Sequence, residues 1–333
     1  MFRKVLATTC FAVGLASLAP AAFAAECGDV VIANMDWQSI DVLANIDKII
    51  LENGYGCSAE ITMGDTVSIM TSMVEKGEPD IAPEAWLNAL PDIVSRGVAE
   101  GKLVSAGNAL SDGGMQGWYI PKYIADAHPD IKKVSDALKH PELFPAPEDN
   151  SKGAVFNGPA GWGASTATSQ LYKAYEGDAK GFVLVDPGSA AGLDGSIAKN
   201  YERQIGWLGY YWSPSSVLGK YLMVKLDSDT PHDAAEWKRC ITVADCEDPK
   251  VNAWPSDKVE TLVTGEFAER AGVAMDYLKS RRWDNATVNE VLAWMTENQA
   301  TGEEAARYFL NNKPEIWTKW LSPEVADKVK ASL

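Results

Sequence analysis

The stretch VVIANMDWQSIDVLANIDKIILENGYGCSAEITM, residues 30–63, decides the fold. With the residues that follow, it predicts an alternation of strands and helices: strands at 30–34, 58–63 and 79–86, and helices at 40–52, 66–76 and 87–95. Such an alternation is typical of an α/β fold built on a mostly parallel sheet. The first third of the chain therefore predicts one sheet flanked by helices.

A second alternation begins after residue 150 and predicts a second sheet. Its predicted elements are strands at 153–158, 182–188 and 207–212, and helices at 165–175 and 189–203. Two segments, 116–124 and 215–226, are apolar, rich in β-formers and punctuated by Pro or Gly. We expect them to cross between the two sheets. The segment 256–333 predicts helices, and we expect them to return to the part of the protein that is built on the first sheet.

The N-terminus predicts export. Arg3 and Lys4 precede an apolar stretch at 5–18, and the sequence AFA at 22–24 has the small-x-small form of a secretory cleavage site. We assign 1–25 as a signal peptide and expect the mature protein in the periplasm. The apolar stretch is short for a bilayer and no later segment is apolar for about 20 residues, so no membrane insertion is expected.

The mature length predicts two lobes, because roughly 308 residues exceed one ordinary core. The predicted domains are lobe 1 at 26–117, lobe 2 at 118–217, and a helical return to lobe 1 at 218–333.

Four cysteines remain after Cys10 leaves with the signal peptide, an even count in a chain bound for an oxidising compartment. Of the three connectivities, the local one pairs Cys27 with Cys57 and Cys240 with Cys246. No zinc site is predicted, because the chain has no CxxC pair and its three histidines are scattered. No other metal and no cofactor is expected.

The charge of the chain limits its partners. Without Arg3 and Lys4, 28 basic residues stand against 46 acidic ones, a net charge of −18. Such a surface repels phosphate backbones and anionic lipids, so nucleic acid is not an expected ligand. It attracts cations, although most of these charges also fit a simple solvated surface.

Tryptophans are concentrated at the ends of predicted elements. Ligands of open α/β sheets bind beyond the carboxyl ends of the strands, which places Trp37, Trp86, Trp162 and Trp212 on one cleft. Indole faces are electron-rich, so several together can hold a methylated ammonium, which has no hydrogen to donate. Each Trp taken alone also fits core packing.

The segment GWGAST at 161–166 predicts an anion site beside these tryptophans. Its small residues leave backbone N–H groups accessible where a helix begins, and a helix N-terminus attracts anions. A plain capped turn is the alternative. Indoles for a cation and amides for an anion would together suit a zwitterion.

The motifs PDIAPEAW (79–86), GPAGWGAST (158–166) and YYWSPSSVLGKY (210–221) resemble the periplasmic glycine-betaine/choline-type substrate-binding proteins of ABC importers. The resemblance implies a two-lobed periplasmic binding protein fold, type II-like, with two mostly parallel sheets and a two-stranded hinge. It implies Trp86, Trp162 and Trp212 as members of an aromatic box, which Trp37 joins by the strand-end argument. It also implies an ABC permease in the inner membrane as partner.

The polar end of the ligand is less defined. The resemblance maps a carboxylate-binding amide group onto Gly163 and Ala164. Some relatives have a carboxylate-binding His where this chain has Leu90, and a disulfide where it has Gly158 and Ala164. Gln116 could donate to a carboxylate or N-oxide, or be a solvent-facing amide.

We therefore expect a small methylated ammonium or sulfonium ligand, with glycine betaine and choline first and trimethylamine N-oxide or a dimethylsulfonio-acid as alternatives. A monomer that is not an enzyme is expected. A secreted glycan hydrolase using Asp36 and Glu84 is the alternative of another class, although the chain lacks a GxSxG elbow and Gly-rich phosphate loops. A sugar-binding protein of the same architecture is a third alternative.

Overall fold

Two mixed β-sheets, each flanked by helices, form the two lobes of this protein. The computed structural model describes residues 28–333, so the predicted signal peptide and Cys27 lie outside the described residues. The strands are β1 Asp29–Asn34, β2 Ser58–Met63, β3 Ile81–Trp86, β4 Leu103–Asn108, β5 Gly114–Pro121, β6 Gly153–Phe156, β7 Phe182–Val185, β8 Gly209–Ser213, β9 Met223–Lys225, β10 Ser256–Asp257 and β11 Val259–Thr264.

The helices fall into three groups along the chain. Those that accompany the first strands are α1 Gln38–Tyr55, α2 Thr66–Lys76 and α3 Pro91–Ala99. Those between β5 and β10 are α4 Lys122–Ala127, α5 Val134–Ala137, α6 Gly163–Ala174, α7 Ala190–Glu202, α8 Ser216–Lys220 and α9 Ala234–Glu236. Those after β11 are α10 Gly265–Arg270, α11 Val273–Ser280, α12 Asn285–Asn298, α13 Gly302–Asn312, α14 Pro314–Trp317 and α15 Pro323–Ser332.

The first sheet has the strand order β2-β1-β3-β11-β4. β1 pairs with β2 and β3 in parallel, as the opening stretch predicts. β11 runs antiparallel to both β3 and β4. The sheet is therefore mixed rather than mostly parallel, because β11 comes back from the other lobe and runs against the strands beside it.

The second sheet has the order β10-β5-β8-β6-β7, and β9 also pairs with β5. β6 is parallel to β7 and β8, as predicted. β5 is antiparallel to β8, β9 and β10, so this sheet is mixed as well.

The strand β11 contradicts the prediction of a helix at its position. Val259, Leu262 and Val263 have the i, i+3, i+4 spacing of a helix face, and this spacing is the reason that a helix was predicted here. All three are buried in the strand. Its β-branched residues and its pairing with β3, which is distant in sequence, favour the strand instead.

The chain crosses between the sheets at 109–113 and again at Lys258. The two predicted crossing segments lie inside the second lobe, where β5 and β9 pair with each other. Their backbone N–H and C=O groups need hydrogen-bond partners, and the pairing of β5 with β9 supplies them. The predicted domain boundaries at 117/118 and 217/218 consequently fall inside β5 and α8.

Helix α1 places the first predicted site residue. Trp37 occupies its N-cap position, directly beyond the carboxyl end of β1. Ile46 and Ile50 on its inner face are completely buried, and each such side chain contributes roughly 1.5–3 kcal/mol. Gly56 ends the helix with φ of 72°, a left-handed conformation that glycine adopts without strain.

A disulfide joins Cys240 to Cys246, which confirms the second predicted pair. The pairing of Cys57 with Cys27 stays a prediction, because Cys27 is not among the described residues. Within residues 28–333, no helix combines the length and apolarity needed to cross a membrane. The same residues contain no group of three or more His, Cys, Asp or Glu side chains arranged to hold a metal ion.

Candidate ligand-binding site

All seven residues predicted from sequence as ligand contacts line one small cavity. Four are indoles, and the other three are Gln116, Gly163 and Ala164. Sequence reasoning missed three further lining residues, which are Thr66, Ala89 and Tyr210. We call this space, lined by Trp37, Thr66, Trp86, Ala89, Gln116, Trp162, Gly163, Ala164, Tyr210 and Trp212, the indole cavity.

The indoles come from both lobes, and three of them meet edge to face. Trp162 is the N-cap of α6, and its ring centroid lies 5.4 Å from that of Trp37 with an interplanar angle of 79°. The centroid of Trp212, in β8, lies 5.2 Å from that of Trp162 at 76°. Trp86 ends β3. Rings at such angles can present electron-rich faces to one point from several directions, which suits a cation.

Glu84 orients two of these indoles from behind the cavity. Its side chain is completely buried, and Oε1 accepts hydrogen bonds from Nε1 of Trp37 at 2.9 Å and from Nε1 of Trp86 at 3.1 Å. The hydroxyl of Ser39 donates to the same oxygen at 2.9 Å. Burial raises the pKa of Glu84, while these donors and the nearby Arg281 counteract that rise. The position of Glu84, two residues before Trp86 in the same strand, was the only sequence signal for this role.

Two glycines make room for the indole cavity. A Cβ at Gly114 would collide with the indole ring of Trp86. A Cβ at Gly163 would collide with the carbonyl oxygen of Ala89 from the other lobe. Glycine at these positions therefore permits the close approach that forms the cavity.

The polar side of the indole cavity combines a helix N-terminus with a hydrogen-bonded amide. Helix α6 begins at Gly163, and its first N–H groups have no partner within the helix. Gln116 is buried; Nε2 donates to Oδ2 of Asp257 at 2.5 Å, and Oε1 accepts from the hydroxyl of Tyr210 at 2.7 Å. Both ends of the Gln116 amide thus have protein partners, which leaves Nε2 one further hydrogen for a ligand.

Burial also affects the carboxylate behind Gln116. Burial raises the pKa of Asp257, and hydrogen bonds from Gln116 and Asn88 offset part of this rise, so that the resulting pKa is about 6. The amide therefore lies between an aromatic hydroxyl and a carboxyl group that titrates close to neutral pH.

The two lobes touch around the indole cavity. The backbone N–H of Ala190 donates to Oδ2 of Asp36 at 3.1 Å, and the hydroxyl of Ser216 donates to Oε1 of Gln38 at 2.6 Å. On the other side, Nε1 of Trp237 donates to the carbonyl of Asn88 at 2.8 Å. These bonds join the lobes in a closed arrangement.

The carboxylates of Asp36 and Glu84 do not face a common substrate site. Glu84 has no exposed surface and binds the indole N–H groups, while Asp36 binds the backbone of the opposite lobe. General acid and nucleophile in a glycosidase must both reach the glycosidic bond. The geometry gives no support to the hydrolase alternative.

Comparison with known proteins identifies the family. The family described as the substrate binding domain of ABC-type glycine betaine transport systems matches residues 28–312. A trimethylamine N-oxide-binding protein of Pelagibacter ubique (strain HTCC1062) is 22% identical over 296 residues, which cover 87% of this chain and 89% of the relative.

Solved structures share the fold at low identity. The glycine/betaine/L-proline-binding protein ProX of Borrelia burgdorferi has a TM-score of 0.71 at 18% identity, covering 90% of this chain and 99% of its own. An ABC-transporter choline-binding protein in complex with choline has a TM-score of 0.73 at 16% identity, with coverages of 92% and 98%. Lactococcal OpuAC with glycine betaine has a TM-score of 0.67 at 18% identity, with coverages of 89% and 100%. With the family match spanning most of the chain, this two-lobed protein belongs to the substrate-binding domains of ABC-type glycine betaine transport systems.

Proposed function

We propose that this protein captures a methylated onium osmolyte, such as choline or glycine betaine, in the indole cavity. The bound ligand is then delivered to an ABC permease in the inner membrane. The predicted signal peptide supports a periplasmic location, and we propose a monomer without catalytic activity. Lobe 1 comprises the first sheet and its helices, and lobe 2 comprises β5 to β10.

The observation that carries this proposal is the convergence of four indoles from two lobes on one cavity. A quaternary ammonium has no N–H to donate, so ring faces are the groups that recognise it. The indole N–H groups of Trp37 and Trp86 already donate to Glu84, so these residues can contact the ligand through their ring faces. We assign the onium head to Trp37, Trp86, Trp162 and Trp212, and the polar end to Gly163, Ala164 and Gln116.

Closure of the lobes is the step that links binding to transport. Trp37 and Trp86 belong to lobe 1, while Trp162 and Trp212 belong to lobe 2. A ligand that touches all four stabilises the closed state through contacts that the open state lacks. The cavity measures only about 30 Å³ in the closed arrangement, so we propose that ligand enters an open form.

Titration of the purified mature protein tests the proposal. We would follow tryptophan fluorescence and heat while adding choline, glycine betaine, trimethylamine N-oxide, glucose or maltose. We expect the onium compounds to bind and the sugars not to bind. Failure of every onium compound, or tighter binding of a sugar, would show that the proposed function is wrong.

Trimethylamine N-oxide is a second candidate ligand, favoured by two features of the indole cavity. Its lining residues include no Lys, Arg or His, so the polar end meets neutral donors. Nε1 of Trp162 is buried and has no acceptor within residues 28–333, so it can donate to an N-oxide oxygen. The Pelagibacter ubique relative, named for this ligand, supports the candidate. Tighter binding of trimethylamine N-oxide than of choline and glycine betaine would favour it.

A further inference from the structure

The wall of the indole cavity contains no carboxylate to balance the charge of an onium head. The residues that line the cavity include neither Asp nor Glu. A cation enclosed there loses its contacts with water, and this loss disfavours binding unless an opposite charge lies close by. A carboxylate directly behind the lining residues would supply that charge.

Glu84 occupies such a position. It is completely buried, and its Oε1 lies 2.9 Å from Nε1 of Trp37 and 3.1 Å from Nε1 of Trp86. Because Nε1 is part of the indole ring, the carboxylate lies at the edge of both rings, and a cation over either face is about one ring away from it. Asp257, which is also buried, contacts Gln116 on the polar side of the cavity instead.

Orientation of the indoles does not by itself require a charge. A side-chain amide or a backbone carbonyl would accept from Trp37, Trp86 and Ser39 without the cost of burying a carboxylate. All three donors reach Oε1 of Glu84, while Oε2 is buried and has no hydrogen-bond partner in the described part of the chain. The carboxylate therefore indicates a role beyond hydrogen bonding.

A buried arginine lies beside the strand that carries Glu84. Nε of Arg281 is 2.8 Å from Oδ1 of Asp47, and neither side chain has exposed surface. Nη2 of Arg281 donates to the hydroxyl of Thr261 at 2.7 Å, and this hydroxyl donates to the carbonyl of Pro83 at 2.9 Å. Pro83 immediately precedes Glu84. These bonds fix the guanidinium next to β3.

The charges near Glu84 act against the effect of its burial. Burial raises the pKa of Glu84, while its three hydrogen-bond donors and the positive charge of Arg281 lower it. A bound onium head adds a further positive charge close to the carboxylate, which also favours the ionised form. With Glu84 ionised, two carboxylates, those of Asp47 and Glu84, and one guanidinium leave a net negative charge behind the indoles of lobe 1.

We propose that Glu84 is a buried counterion of the onium head, in addition to being a hydrogen-bond acceptor, and that Arg281 holds it in the ionised form. The indole cavity therefore selects a positively charged head over a neutral group of the same shape. Glu84 is a specificity-determining residue and Arg281 is a positioning residue. The inference rests on the proposed function, since it concerns how the indole cavity holds the head of an onium ligand.

Two pairs of probes separate charge from shape. Choline is paired with 3,3-dimethylbutan-1-ol and glycine betaine with 3,3-dimethylbutanoate, in each of which carbon replaces the quaternary nitrogen. The two members of a pair have heads of the same shape that differ by one positive charge. The ratio of their dissociation constants, measured by calorimetric competition, reports the contribution of the charge.

Glu84→Gln tests the counterion with the hydrogen bonds kept. Its amide oxygen can accept from Trp37 and Trp86, and its Nε2 replaces an oxygen that binds no donor. We expect the affinity for choline to fall about fivefold and that for 3,3-dimethylbutan-1-ol to change less than twofold. The ratio for the second pair should fall by a similar factor. If Glu84 only oriented the indoles, both members of each pair would lose affinity equally.

A second set of variants tests the role of Arg281. Arg281→Lys keeps a positive charge, whereas Asp47→Asn/Arg281→Met removes the buried ion pair as a unit and leaves no unpaired Asp47 charge. We expect the double variant to lose about fivefold of the preference for choline over its neutral analogue, and Arg281→Lys to lose less. A folded double variant with the wild-type preference would contradict the role of Arg281.

Glu324→Gln is the matched control, because it makes the same substitution at a side chain of α15 that is 78% exposed and does not line the indole cavity. We expect it to leave both ratios unchanged. A wild type that binds choline or glycine betaine, with equal losses for both members of each pair in Glu84→Gln, would overturn this inference and leave the proposed function standing. A wild type that binds no onium compound would overturn both.

Discussion

Replacing Glu84 by Ala tests whether one buried carboxylate orients the indoles. Its Oε1 accepts from Trp37 at 2.9 Å, from Trp86 at 3.1 Å and from Ser39 at 2.9 Å. Trp37 and Ser39 are buried, so each is left without this hydrogen-bond acceptor at a cost of about 1–3 kcal/mol, while the half-buried Trp86 can reach water. The substitution also removes the cost of burying the carboxyl group of Glu84, which offsets part of this loss of stability. We expect the free energy of unfolding to fall by about 2–3 kcal/mol.

Ligand binding should fall as well, because two of the four indoles lose the bond that orients them. If each cation–π contact weakens by about 1 kcal/mol, the affinity for choline drops about thirtyfold. Urea unfolding and calorimetric titration measure the two effects separately. Glu84→Gln is the control, since its amide oxygen can still accept from the indoles, and it should lose less affinity. A folded Glu84→Ala protein with wild-type affinity would refute this role of Glu84.

Four further predictions concern the cavity, the cysteines and the lobes. Trp162→Ala should weaken choline binding by roughly 1–2 kcal/mol or more and Trp162→Phe by less, as calorimetry would show; equal losses would argue against recognition by the ring face. Peptide mapping of the unreduced protein should find Cys27 linked to Cys57, and breaking that link should cost about 3 kcal/mol of stability with little change in affinity; an alkylated free thiol at either position would contradict the pairing. Because the folded pKa of Asp257 is raised to about 6, its contribution to stability is present at pH 4 and lost as the pH rises through 6; Asp257→Asn should therefore stabilise the protein at pH 7.5, by about 1–2 kcal/mol in urea unfolding, and have less effect at pH 4. Small-angle scattering should show a smaller radius of gyration with saturating ligand, and an identical curve with a ligand proven to bind would place the site within one lobe.

The four indoles of the indole cavity could be predicted from sequence because each lies at or near the end of an element with a clear local pattern. Trp37 follows β1, Trp86 ends the buried strand β3, and Trp162 precedes a helix whose first residues are small. Their supports were not predictable in the same way. Glu84 and Tyr210 act through contacts with residues far away in the sequence, and no local pattern distinguishes them from ordinary strand residues.

Some elements of the fold also follow from local sequence, while others depend on pairing between distant segments. The parallel strands β1, β2 and β3 follow from an alternation that is local in sequence. The strand β11 does not, because its apolar spacing fits a helix equally well and only pairing with β3, more than 170 residues away, decides between them. The points at which the chain crosses between the lobes depend on the same long-range pairing.

The sequence alone therefore determined the α/β class, the acidic charge and the aromatic character of the cavity, and it predicts an export signal, since all of these reside in composition and local periodicity. Only the tertiary structure decided which strands pair and how Glu84 orients two indoles through hydrogen bonds. It also decided that Asp36, Asp41 and Asp194 line one cavity. The physical reason is that hydrogen bonds and charges act across space. Asp36 and Asp194, which are far apart in the chain, share a cavity only because the two lobes meet.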